Sequence, residues 1–151
     1  MTFDEETAMA VALEEAARAG EAGDVPVGAV ALCAGEIVGR GRNQREKLGD
    51  PTAHAELLAL REASQAQGTW RLEAVTLVVT LEPCAMCAGA LVAGRVRRLV
   101  FAAADPKAGA CGSLYNLCAD PRLNHEVEVA GGLMAGPAGE LLRSFFARRR
   151  A

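Results

Sequence analysis

From Ala53 onward the chain alternates between helical and strand-like hydrophobic patterns, and this alternation most limits what it can fold into. Helical spacing runs from about Ala53 to Gln67, with Leu57, Leu58, Leu60 and Arg61 on recurring faces. "AVTLVVTL" (74–81) is a strand rich in β-branched residues, and the very apolar "CAMCAGALVAG" (84–94) is a short helix. "VRRLVFAA" (96–103) is the next strand, and "EVEVAGG" (126–132) is a last short one. "PAGELLRSFFARRR" (137–150) is a terminal helix.

Ahead of this series comes a helix from about Asp4 to Ala19, with apolar Met9, Ala12, Leu13 and Ala16, ended by Gly20 and Gly23. "VPVGAVALC" and "IVGRGRN", joined by the turn "AGE", make a hairpin. "REKLGDPTA" (45–53) is expected to be a polar loop. The stretch 104–125 is expected to be irregular, with one helical turn near Leu114–Leu117. A helix, a hairpin and then alternating elements imply an α/β fold with a mixed sheet and helices on both faces. No repeat, low-complexity segment or linker interrupts residues 1–151, which are expected to form one domain.

The composition is 51% hydrophobic and 23% charged, ordinary for a globular protein. A net charge of −3 means that any nucleic-acid site must be a local patch. No basic n-region leads into an apolar stretch at the N-terminus, and no run approaches the roughly 20 apolar residues of a membrane span. A cytoplasmic setting is therefore expected. There are five cysteines, Cys33, Cys84, Cys87, Cys111 and Cys118, and in that setting the Cys-x-x-Cys of Cys84 and Cys87 reads as metal-binding or catalytic before it reads as a disulfide.

Two short strings carry chemistry. In "LEPCAMC", Cys84 and Cys87 share one helix face, and Pro83 suits the first turn. The helix dipole there favours the thiolate, the form that binds metal. In "HAELLA", His54 and Glu56 stand at another helix start. Two thiolates and an imidazole make three ligands, and a metal with a fourth position left for water is a catalytic one. Neither Cys111 nor Cys118 has finger-like spacing, His125 stands alone and Cys33 falls in a strand. Two residues apart on a helix point about 200° from one another. Glu56 is therefore a poor co-ligand for His54 but well placed to flank the same point as a proton shuttle. Bound zinc brings the pKa of water to about 7, and a neighbouring carboxylate takes the proton and hands it on.

Each half has a plain structural reading. A lone Cys-x-x-Cys is often core packing, and a lone His at a helix start is often a cap. Together, His-x-Glu and Pro-Cys-x-x-Cys at successive helix starts form the pattern of the zinc nucleobase deaminases.

At these residues the chain resembles the cytidine/deoxycytidylate deaminase superfamily, and more closely the bacterial tRNA-specific adenosine deaminases. The resemblance rests on "VPVGAV" (25–30), "DPTAHAE" (50–56), "TLEPCAMCAGA" (80–90), "RVRRLVFAAADPKAGACGSL" (95–114), "NHEVEV" (124–129) and "LLRSFFARRR" (141–150). It implies a three-layer α/β/α, cytidine deaminase-like fold with a mixed five-stranded sheet, in a homodimer. The implied reaction is zinc-dependent hydrolytic conversion of the wobble adenosine of an arginine tRNA to inosine, within the anticodon stem-loop. His54, Cys84 and Cys87 match the ligands of one Zn²⁺ per chain, and Glu56 matches the proton shuttle. Asn43 matches a residue that contacts the base, and Asp105 and Lys107 match a loop that touches the anticodon backbone. Phe145, Phe146 and Arg149 lie where the terminal helix borders the RNA. Asp24 replaces a Glu common in the family, and Cys111 and Cys118 match no functional position.

On composition alone, Asn43 reads better as a turn residue and the arginine run 148–150 better as a solvated tail. Arg95, Arg97, Arg98 and Lys107 are expected near the metal helix and the irregular loop. A free nucleobase or nucleoside deaminase would use the same metal set without the basic, aromatic terminal helix. A zinc-stabilised binding module would need a fourth protein ligand, such as Cys111, and a thiol redox protein would leave His54 and Glu56 unexplained.

Overall fold

The computed structural model describes residues 2–150, with the backbone alone for Arg150. In chain order the elements are α1 (Glu5–Glu21), β1 (Gly28–Cys33), β2 (Glu36–Arg42), α2 (Arg45–Leu48), α3 (Ala55–Gln67), β3 (Val75–Leu81), α4 (Ala85–Ala93), β4 (Arg98–Ala103), β5 (Glu128–Gly131) and α5 (Ala135–Arg150). The strands form one sheet in the order β2-β1-β3-β4-β5. β1 runs antiparallel to both β2 and β3, while β3, β4 and β5 are parallel. Four strands therefore end at one edge of the sheet, where β1 begins. In α/β sheets that edge is where ligands bind.

Alternation along each strand divides the core. Val30, Leu32, Val78, Val100 and Ala102 meet α1 and α5 on one face. Ala29, Ala31, Leu77, Val79, Leu99 and Phe101 meet α3 and α4 on the other. The sheet is thus a middle layer, as the alternating sequence implies. Two glycines set how closely α3 lies on β2. A Cβ at Gly39 would sit 2.3 Å from the carbonyl oxygen of Ala59, and one at Gly41 would sit 2.2 Å from that of Ala55. Only a residue without Cβ allows this approach. Because Ala55 follows His54, Gly41 also fixes the start of the helix that carries His54 and Glu56.

Several boundaries differ from expectation. The polar stretch after β2 contains a helical turn, α2, rather than a plain loop. Asp24, which is buried, supplies the missing stabilisation from 22 residues upstream. Its carboxylate accepts the backbone N–H groups of Glu46 at 2.7 Å and Lys47 at 3.2 Å, the donors that a helix start leaves free. The helical turn expected at Leu114–Leu117 lies at Leu117–Ala119 and is of the tighter 3₁₀ kind. α5 begins at Ala135, so Pro137 falls in its first turn, where no N–H is needed. Among the described residues no helix is long and apolar enough to cross a membrane.

Candidate active site

α3 and α4 lie on the same face and bring their N-termini together at the carboxyl edge of the sheet. His54 is the N-cap of α3 and Cys84 the N-cap of α4. Pro83 therefore precedes the cap instead of opening the helix, and Cys87 lies in the first turn. The Nδ1 of His54 is 3.8 Å from the Sγ of Cys84 and 3.6 Å from the Sγ of Cys87. Among the described residues this is the group whose ligand atoms all fall within 4.8 Å of one another. A tetrahedral zinc with Zn–S near 2.3 Å and Zn–N near 2.0–2.1 Å separates an N and an S ligand by about 3.6 Å. The two N···S separations match the edges of such a tetrahedron.

The three groups share protons unevenly. Hydrogen bonds from Cys87 and then His54 hold the Cys84 thiol down at about 3, the thiolate form. The Cys84 sulfur, and then burial, push Cys87 well above the ordinary thiol range. The hydrogen bond to Cys84 raises His54, against the opposing effect of burial. Glu56 is buried beside them, and burial pushes its carboxyl up to about 7 against the pull of its own backbone amide and of His54. A carboxyl near neutrality can both accept and donate a proton at physiological pH.

These groups open into a pocket of about 200 Å³, walled by Val25 and Val27, Asn43 and Arg45, Leu81 and Glu82, and Asp105 and Ala108. The structure thus assembles His54, Glu56, Cys84, Asn43 and Asp105 around one cavity. The Nδ2 of Asn43 donates to the Val25 carbonyl and its Oδ1 accepts the Arg45 N–H, both at 3.1 Å. An amide has two donors and two lone pairs, so one of each remains free.

A sequence profile of the MafB19-like deaminases matches residues 3–150. The chain belongs to the MafB19-like deaminase family. This deaminase is 50% identical over 150 residues to the tRNA-specific adenosine deaminase of Bacillus subtilis (strain 168), spanning 99% of this chain and 92% of the relative. It superposes with a TM-score of 0.87, at 43% identity, on a structure from work on A-to-I editing by tRNA:A34 deaminases at the wobble position of transfer RNA. That match covers 90% of this chain and 99% of the other. A guanine deaminase from Nitrosomonas europaea superposes with a TM-score of 0.82 at 28% identity, covering 97% of this chain and 86% of that one.

Other expected contacts are placed differently in this deaminase. Phe145 is buried and edge-on to Phe146 at 5.4 Å, with the Arg149 guanidinium 4.5 Å above its ring. Phe145 therefore packs the helix and has no free face for a base, while Phe146 is exposed. Arg149 also donates to the Gly23 carbonyl, which ties α5 to the corner before β1. The side chain of Arg150 lies outside the described residues. Asp105 turns its carboxylate onto its own loop, accepting the N–H groups of Lys107 at 3.0 Å and Ala108 at 3.2 Å, and Lys107 is exposed.

Arg95, Arg97 and Arg98 stand at the start of β4, the edge of the sheet opposite the site. Arg98 is bound there by Glu5 at 2.7 Å and Glu128 at 2.9 Å, so these arginines do not border the pocket. His125 uses its Nε2 on the Val96 carbonyl, 2.8 Å away. The Sγ atoms of Cys111 and Cys118 are buried 3.9 Å apart, outside the metal-type trio, so neither supplies a fourth ligand. Arg45, Glu82 and Asp24 are the site-shaping residues that sequence reasoning missed. Arg45 carried a signal, as a cation two residues from Asn43.

Proposed function

We propose that this chain hydrolyses the exocyclic amine of the wobble adenosine in a tRNA anticodon loop, giving inosine and ammonia. One zinc ion per chain, held by His54, Cys84 and Cys87, would supply the Lewis acidity that makes water nucleophilic at neutral pH. Glu56 removes a proton from the attacking water as its oxygen bonds to C6 and delivers that proton to N1 of the purine. It then moves the hydroxyl proton of the C6 adduct to the amine, so that the C6–N bond breaks as the C6 carbonyl forms and ammonia leaves. Its carboxyl near 7 suits both transfers. The free donor and acceptor of Asn43 hold the purine edge. Arg45 at the pocket, together with exposed Lys107, Phe146 and Arg148, meets the RNA around the flipped base, whose loop is already unpaired. Homodimerisation and a cytoplasmic setting, in keeping with five unbridged thiols, belong to the same proposal.

The observation that carries this reading is the His54–Cys84–Cys87 triangle beside a buried Glu56, in a chain half identical to a tRNA-specific adenosine deaminase. The test is incubation with an arginine tRNA bearing a wobble adenosine, followed by sequencing for inosine. Inosine at that position alone is expected. The likeness to a guanine deaminase supports a second reading, deamination of a free base. Unmodified tRNA together with ammonia release from guanine would establish that reading instead.

A further inference from the structure

Glu82 borders the pocket and is only 3% exposed, and its carboxylate is spent on the donors of one loop. Oε1 accepts the Asp105 N–H at 3.0 Å and the Ser113 hydroxyl. Oε2 accepts the N–H groups of Cys111 and Ser113, both at 3.0 Å. A carboxylate offers about four lone-pair sites, so its acceptor capacity is filled. All four donors belong to the loop 105–113, the same loop that gives Asp105 and Ala108 to the pocket wall. Gly109 closes over the carboxylate, and a Cβ there would lie 2.3 Å from its Cδ.

We infer that Glu82 is a positioning residue: its carboxylate pins the loop 105–113 as one wall of the pocket and so sets how tightly substrate is held, without touching the substrate itself. Concerning substrate, the inference rests on the proposed tRNA reading; concerning the loop, it stands alone. The chemistry of the anchor is specific. A glutamine must set its NH₂ against a backbone N–H in either orientation. The less costly orientation turns the NH₂ to Ser113 Oγ and Asp105 N–H, which releases the Asp105 end. Removing the Ser113 hydroxyl leaves three backbone donors in place.

The experiment compares wild type, Ser113→Ala, Glu82→Gln and Glu82→Ala in the full chain. It reads amide-resolved hydrogen exchange, bound zinc, and kcat and KM on an anticodon stem-loop RNA. In Glu82→Gln, exchange at Asp105 and KM each rise about tenfold, the scale of one lost hydrogen bond to a charged group, while kcat and zinc content hold. Ser113→Ala gives a smaller change in the same direction, and Glu82→Ala, if it folds, a larger one. Unchanged exchange in Glu82→Gln, or a fall in kcat at constant KM, overturns the inference. Faster exchange in an enzyme whose wild type leaves the stem-loop untouched supports the anchor and removes the tRNA reading.

Discussion

Glu56 sits two residues from His54, but the start of a helix turns the pair into neighbours of one point. The proposed roles separate by substitution. Glu56→Gln keeps the shape of the side chain and the three ligand atoms but cannot accept a proton. Deamination should fall by about 10² to 10⁴, the usual contribution of a general acid–base, with zinc content at the wild-type level by elemental analysis. Cys87→Ala should instead lose the metal, because one of the three proposed ligand atoms disappears. Cys111→Ala should keep it, since Cys111 contacts Cys118 rather than the trio. A zinc content halved in Cys111→Ala would revive the closed, non-catalytic site.

At the scale of elements, the site depends on where two helices begin, and β2 decides this for α3. Gly41→Ala would force the added methyl against the Ala55 carbonyl, at the residue between His54 and Glu56. Gly39→Ala makes the same kind of clash one turn further on, against Ala59. Both substitutions should lower the melting temperature, but only Gly41→Ala should also weaken zinc affinity measured by competition with a chelator. Equal zinc affinity in the two variants would show that the approach of α3 is purely structural. This dependence marks the limit of what the sequence revealed. The alternation of patterns gave the layers, and the His-x-Glu and Cys-x-x-Cys spacings gave the cluster of His54, Cys84 and Cys87, because both are periodic or local. α2 was hidden because its stabilising carboxylate, Asp24, is distant in sequence and its four residues are too polar to show a buried face. Glu82 was hidden for the same reason, since its donors lie 23 to 31 residues downstream.

Across the whole molecule, the two edges of the sheet use their arginines differently. Arg98 ties α1 to β5 through Glu5 and Glu128 at the edge away from the site. The hydrogen bond from Arg98 holds the Glu5 carboxyl below its ordinary 4.5. The stability from this pair is therefore present above pH 4.5 and lost as pH falls through the lower, folded-state value. Arg98→Met should lower the melting temperature at pH 7, and the gap to wild type should narrow on acidification towards pH 3. A gap independent of pH would mean that Arg98 acts by packing alone.

The opposite edge must attract a polyanion although the chain carries a net charge of −3. Attraction therefore rests on the few cations at the pocket and the terminal helix: Arg45, Lys107 and Arg148, each exposed. Arg149 is committed to Phe145 and Gly23, so it contributes structure more than free charge. Each phosphate neutralised by a cation releases counterions, and the dependence of log K on log salt steepens by about 0.7 per contact for a single strand. Arg45→Ala, Lys107→Ala and Arg148→Ala should each flatten the slope for an anticodon stem-loop by about that amount. Arg98→Met should leave it unchanged, because its guanidinium is spent on two carboxylates at the far edge. Binding titrations by fluorescence anisotropy at several salt concentrations decide this. A slope that responds to Arg98 but not to Arg45 would place the RNA on the wrong side of the sheet and separate the proposed substrate from the pocket that holds His54 and Glu56.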